Sequence, residues 1–204
     1  RPIIGPYAQH PASQDRSQLV FDYSKFYPNY VDLAQPSLYV GGHPEIIHDV
    51  IRADHKLMKN RNIIPWLTAG TYENFMNGAG GITYYCFTDF DTPMDFYYHA
   101  RALSLLAPYE NLVMDGTLTE IQCSNPSIKT SAIRKDGEML ILLGNYARSS
   151  EEEVTIRLPL EKVTQIRDLR DGEKFEVASE VKLKVPKGSG RLLYVTDKKP
   201  EVRK

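Results

Sequence analysis

Two aspartates, Asp89 and Asp91, stand two residues apart where the apolar run GGITYYCF (80–87) gives way to TDFD. In extended backbone alternate side chains share a face, which would aim both carboxylates the same way with Cα atoms about 7 Å apart. Paired carboxylates roughly 5 to 9.5 Å apart are what the cleavage of a glycosidic bond requires, one as acid and the other as base or nucleophile. The same residue types at the start of a loop also cap backbone amides, and Asp91, just before Thr92 and Pro93, is well placed for that.

Four short apolar segments recur in the first half: PIIGPY (2–7), VDLAQPSLYV (31–40), NIIPWLTAG (62–70) and GGITYYCF (80–87). Each finishes near an aromatic residue: Tyr7, Tyr39, Trp66, and Tyr85 with Phe87. In parallel barrels the site forms at the C-terminal ends of the strands. Aromatic faces there suit the apolar C–H faces of sugar rings, while nearby polar groups serve the hydroxyls. Core packing accounts for any single one of these aromatics equally well. Glu73, after the third segment, is another carboxylate within reach of such a cleft. Asp32 lies at the N-terminal end of the second segment and is expected to be structural. His10 and Gln14 fit a solvated loop.

Composition narrows the field of partners. The 204 residues carry a formal net charge of −1 with 25% charged and 42% hydrophobic residues, a balance without the basic footprint of a nucleic-acid binder. No apolar stretch approaches the roughly 18 residues that would raise the question of a membrane span, so no membrane insertion is expected and the expected partner is uncharged. The two cysteines, Cys86 and Cys123, form no Cys-x-x-Cys pair, and there is no His-Glu-x-x-His. The GAGG at 78–81 precedes a strand instead of opening a helix, which is not a phosphate cradle. Neither a metal nor a cofactor is expected.

The elements that would position these residues alternate. PEIIHDVIRADHKLMKNR places Ile46, Ile47, Val50, Ile51, Leu57 and Met58 on one helical face, with Pro44 in the first turn. Its polar residues, including His48, Asp49, Arg52 and His55, are then expected on a solvated face. Thr92 followed by Asp95 has capping-box spacing and opens a second helix running to Pro108. Strand, helix, strand, helix points to a parallel sheet. Four strands in about 118 residues are half of an eight-stranded barrel, which takes about 250 residues.

From Thr119 the period becomes two, with turn signals at Lys135–Gly137, Arg170–Gly172 and Lys187–Gly190. Strands are predicted near 119–123, 129–134, 138–146, 152–158, 163–168, 173–177, 180–185 and 190–196. The expected fold class is therefore α/β plus all-β: the C-terminal half of a (β/α)8 barrel over 1–118, a small antiparallel β-sandwich over 119–197, and a flexible tail at 198–204.

The segments QPSLYV, IIPWLTAGTYENF and GGITYYCFTDFDTPMDFYYHARALSLLAPYENLVMDG resemble the last units of a (β/α)8 TIM-barrel glycoside hydrolase. AIRKDGEMLILLGNY with VTQIRDLRDGEKFEV resembles the C-terminal β-sandwich appended to many such enzymes. The resemblance implies action on an oligo- or polysaccharide, with Asp89 and Asp91 as catalytic residues and Tyr7, Tyr39, Trp66, Glu73, Tyr85 and Phe87 in contact with carbohydrate. It also implies an N-terminal barrel fragment or complementary chain carrying the first strands, and a secreted or cell-surface processed chain. The alternative is a non-catalytic scaffold with a carbohydrate-binding or structural assembly role.

Overall fold

The structure, a computed structural model, describes residues 7–9, 32–38, 43–65, 70–83, 92–146, 150–160 and 162–198, with the backbone path alone at 7–9 and 37. The chain divides into two compact units between Leu106 and Ala107.

In the first unit, strand β1 (Tyr7–Gln9) pairs in parallel with β2 (Gln35–Ser37), Tyr7 opposite Gln35. Ala34 bridges Ile63 in the same sense. Ile63 and Pro65 then accept hydrogen bonds from the backbone of Gly80 and Thr83 at 3.0 and 2.9 Å, partners that advance together along the chain as parallel neighbours do. Helix α1 (Glu45–Met58) lies in sequence between the second and third of these segments. Its Ile47, Val50, Ile51 and Met58 are buried and share an apolar cluster with Ala34, Leu38, Ile63 and Ala79. Burying side chains of this size contributes about 1.5 to 3 kcal/mol each, so this stripe holds α1 to the strand segments. The helix stops at Lys59, whose φ of 57° is left-handed and whose N–H returns to the His55 carbonyl.

Two further helices follow, α2 (Thr71–Met76) and α3 (Pro93–Leu106). The predicted box at the start of α3 forms: the Thr92 N–H donates to Asp95 Oδ2 at 2.9 Å and the Asp95 N–H to Thr92 Oγ1 at 3.4 Å. Pro108 falls in a single 3-10 turn, Ala107–Tyr109.

The second unit opens with helix α4 (Glu110–Asp115) and continues as β3 (Thr117–Thr119), β4 (Gln122–Cys123), β5 (Lys129–Lys135), β6 (Glu138–Asn145), β7 (Glu152–Arg157), β8 (Gln165–Asp168), β9 (Glu180–Val185) and β10 (Ser189–Thr196). These build two antiparallel sheets, ordered β3-β5-β6-β10-β8 and β4-β7-β9. Both contribute to one apolar cluster: Met139, Ile141, Leu143, Leu193 and Val195 from the first, Val154, Ile156, Val181, Leu183 and Val185 from the second. Strand β9 alternates strictly, its Val181, Leu183 and Val185 buried while Glu180, Lys182 and Lys184 are exposed. Strand β6 is apolar on both faces, as the continuous MLILL requires, and α4 packs on β5 and β6. The β5–β6 hairpin turns on Asp136 and Gly137, both with positive φ (48° and 78°), the type I′ geometry that follows the right-handed strand twist.

Two predicted strands are resolved differently. The stretch 119–123 is split: β3 pairs with β5 and β4 with β7, and the chain changes sheet at Glu120–Ile121 with Ile121 buried in the shared cluster. The stretch 173–177 is no strand but a single bridge, Arg167 to Lys174, because the backbone folds back tightly with Asp168 N–H on the Glu173 carbonyl and Phe175 N–H on the Ile166 carbonyl. Lys198 is tied to the sheet, its Nζ donating to Glu138 and its N–H to Thr196 Oγ1.

Candidate functional site

Of the candidate site residues, Asp89, Asp91, Tyr39, Trp66, Tyr85 and Phe87 lie outside the described residues, as does Cys86, and Tyr7 is described by its backbone, which pairs with Gln35. The structure does fix the strand segments from which they follow: β1, β2 and the segments at Ile63–Pro65 and Gly80–Thr83 run in one direction.

Glu73 is described, and it is 2% exposed. Asn77 Nδ2 donates to its carboxylate at 2.8 Å, and Asn77 Oδ1 accepts from Arg52 Nη1 at 3.3 Å. The carboxylate predicted for the cleft is thus engaged in a chain of polar groups that reaches from α2 to α1. Arg61, just before the third strand segment, donates to the Phe75 carbonyl at 3.2 Å and ties the same helix from below in sequence. The Asn77 amide, itself engaged by Arg52, gives the buried carboxylate a donor that offsets part of the cost of removing it from water, which identifies this network as a support for the α2 region.

The polar face of α1 is accordingly less solvated than predicted. Asp49 is exposed, but His48 and Arg52 are part-buried and His55 is half-buried against Gly78, while the fully buried Asp54 lies on the apolar stripe. Gly78 has φ of 110°, and a Cβ there would stand 2.3 Å from His55 Cδ2, so glycine permits the close approach. Burial pushes the His55 imidazolium pKa down, and the Arg61 and Arg52 charges add to the effect. His99 of α3 is also lowered by burial, and its Nδ1 shares a hydrogen bond of 2.8 Å with Thr71 Oγ1. The sequence signals were helical spacings: Glu73 and Asn77 are four apart on one face, and Asp54 stands four after Val50 and four before Met58, on the apolar stripe.

The second unit carries its own charged cluster. Arg191 Nη1 lies 3.1 Å from Asp168 Oδ2, 2.8 Å from Asp171 Oδ2 and 2.7 Å from Glu173 Oε2, while Nε donates to the Lys184 carbonyl. Burial opposes the Arg191 charge, but the Asp168 hydrogen bond and the charges of Asp168, Glu173 and Asp171 outweigh it and hold the pKa above its ordinary value. On another edge, Tyr194 O–H and Lys198 Nζ both donate to Glu138. Burial raises the Glu138 pKa and these two hydrogen bonds with the Lys198 charge overcome it, leaving the carboxyl below its usual range. Arg167 donates to Tyr109 Oη at 2.6 Å and lies over the Tyr194 ring, 5.4 Å from its centre. These groups pin turns and the α4 segment to the sheet.

Among the described residues, no group of three or more His, Cys, Asp or Glu side chains is placed to hold a metal ion, and no helix is long and apolar enough to cross a membrane. A cavity of about 230 Å³ in the second unit, lined by Glu120, Gln122, Arg157, Leu158 and Pro159, is smaller than the roughly 300 Å³ at which ligand pockets begin.

No protein-family model and no curated protein matches the sequence. The fold is matched by solved structures. A glycoside hydrolase family 27 β-L-arabinopyranosidase from Geobacillus stearothermophilus, in complex with arabinose, superposes with a TM-score of 0.60 at 8% identity, over 88% of this chain and 48% of its own. An α-amylase from Anoxybacillus gives 0.54 at 10% identity, over 82% and 53%, and a family 30 endoxylanase from Clostridium papyrosolvens 0.52 at 12%, over 82% and 49%. The chain spans about half the length of these structures. Its fold is mixed α/β with antiparallel sheets and is glycoside-hydrolase-like, similar to TIM-barrel members of that group.

Proposed function

We propose that this chain is the C-terminal portion of a glycoside hydrolase acting on an oligo- or polysaccharide, completed by another polypeptide that carries the first barrel strands. In this reading the first unit is the C-terminal half of a (β/α)8 barrel, and the two antiparallel sheets of the second form the appended β-sandwich. The observation that carries the proposal is the parallel sequence of pairings, Tyr7 with Gln35, Ala34 with Ile63, and Ile63 and Pro65 with Gly80 and Thr83. Strands paired in chain order with helices between them are what one arc of a βα barrel requires. The half-length match to hydrolases supports the same reading.

Asp89 and Asp91 follow the fourth segment and are the acid and base or nucleophile of the proposed cleft; Tyr7, Tyr39, Trp66, Tyr85 and Phe87 are its sugar platforms. Glu73 takes a positioning part, because its carboxylate is held by Asn77. The test is hydrolysis of a glycan panel by the complete assembly. Asp89→Asn is expected to lower turnover about 10²-fold or more, the scale of a lost acid or base, without lowering the melting temperature. An unmutated assembly that hydrolyses nothing overturns the proposal in favour of a non-catalytic scaffold. Full turnover with a lowered melting point makes Asp89 a cap.

A further inference from the structure

Helix α3 carries far more apolar surface than it buries. Ala102 and Leu106 are its buried residues, whereas Met94, Phe96, Tyr97 and Tyr98 are each more than half exposed, at 51, 58, 51 and 59%, and Leu103 is 37% exposed. Helix α1, equally long, buries five residues along one stripe, four of them apolar and the fifth Asp54. A helix with apolar residues on several sides is ordinarily covered on several sides.

The uncovered apolar surface falls on two flanks, with Phe96 and Leu103 beyond the His99 side and a second group opposite them. At about 100° per residue, Ala102 and Leu106 form the buried stripe, with His99 along one margin. His99 meets Thr71, so that margin faces α2. Along the opposite margin, within an arc of about 40°, fall Met94, Leu105 and Tyr98. Tyr97 widens this flank, its ring edge-on to Tyr98 with centres 5.5 Å apart. Contacts join α1 to α2 and α2 to α3, and the Met94–Tyr98 flank of α3 looks away from that row.

We propose that this flank is a docking seam for an amphipathic helix of the polypeptide that supplies the remaining βα units, seated on Met94, Tyr97 and Tyr98. The proposal rests on the completed-barrel reading and names the surface at which completion occurs. In a closed ring of helices each has a neighbour on both sides, and among the described residues α3 contacts one helix of the ring, α2. The matched hydrolases carry about as much chain again beyond the part this chain covers, enough to supply it. The chemistry of the flank also selects the occupant. Of the charged residues of α3, Asp95 is off the seam and occupied by the Thr92 cap, and Arg101 lies on the seam one turn from Tyr97 and Tyr98, so the seam offers aromatic and thioether surface with a single cation. Tyrosines in such a position are typical anchors of a protein interface.

The test places the photo-reactive residue p-benzoylphenylalanine at position 98 of the full chain in its natural assembly, with position 49 on the exposed side of α1 as control. The expected product is an adduct at 98 to a peptide that follows a strand-like apolar run, with an apolar helical face, in a polypeptide carrying four such units. An adduct to a second copy of this chain, an adduct to lipid, or a yield no higher than at position 49 overturns the proposal. Met94→Lys with Tyr98→Lys supplies a second reading: association with the completing polypeptide should weaken at least 10-fold while circular dichroism of the chain is unchanged, since both side chains are exposed. Unchanged association refutes the seam. The expected adduct without glycan hydrolysis by the assembly leaves the seam standing and removes the hydrolase proposal; undiminished hydrolysis by the double variant does the reverse.

Discussion

Asn77 Nδ2 donates at 2.8 Å to both the backbone carbonyl and the carboxylate of Glu73, four residues earlier. Asn77 is fully buried, and its Oδ1 receives Arg52 from α1. One amide therefore closes the end of α2 and joins it to its neighbouring helix.

Replacing that amide should cost stability directly. Asn77→Ala leaves a buried carboxylate short of a donor, a loss of about 2 kcal/mol. Denaturant unfolding followed by the fluorescence of Trp66, the only tryptophan, measures it. A loss below about 0.5 kcal/mol, the range of an ordinary surface change, would show that the contact contributes little. Glu73→Gln should be milder, because an amide can still accept from Asn77.

In the second unit the decisive group is Asp168, 1% exposed and facing Arg191. Arg191→Met strands that carboxylate without its cation and is expected to destabilise the unit by about 3 kcal/mol. Adding Asp168→Asn should recover part of the loss. Equal melting temperatures for the single and double variants would mean that the buried charge is not the cause.

Acid should weaken the first unit before the carboxylates titrate. His55 and His99 both have pKa values lowered in the fold, chiefly by burial. The unfolded chain takes up these protons near the ordinary value of about 6.5, so below it the unfolded state binds more protons. Stability is full above about 6.5 and declines as pH falls through it toward the folded values. His99→Gln should make the decline between pH 7.5 and pH 5.5 shallower; identical slopes for the two proteins would refute this.

Alkali acts on the second unit. Burial first, and then the bond to Glu138, push the Tyr194 pKa up to about 12 from 10.0. Here the unfolded state releases its proton first, so stability is intact below pH 10 and is lost as pH rises from 10 to about 12. Tyr194→Phe should lower stability at neutral pH by about 1 kcal/mol through the lost hydrogen bond. The same change should flatten the alkaline arm, and an alkaline arm as steep as that of the unmodified protein would contradict the assignment.

Local signals in the sequence suffice where one face decides the outcome. Ile47, Val50, Ile51 and Met58 give α1 because a single stripe packs on the strands, and Thr92 with Asp95 gives the start of α3 because the cap is satisfied within four residues. The sequence was silent where distant groups decide. The pattern does not show that the Asn77 amide receives Arg52 or that His55 packs against Gly78, since both follow from how α1 meets the α2 region. A strand is expected over 173–177, yet Val177 is 48% exposed and the segment is held by the Asp168 turn. The switch of sheet at Ile121 was hidden because one apolar residue serves both sheets.

The order β3-β5-β6-β10-β8 places the last strand in the chain between two that precede it. The β5–β6 hairpin closes over a two-residue turn, an event of about 1 to 10 µs, but β10 has to return from beyond residue 185 to lie along β6 from Glu138 to Asn145. Until it does, β6 and β8 both present open edges, the state in which strands recruit other chains. During synthesis the sheet therefore remains unfinished until its final residues leave the ribosome. A stop anywhere before Ser189 would yield a product prone to aggregate, where a cut of similar size in an edge strand such as β3 would leave the centre of the sheet closed.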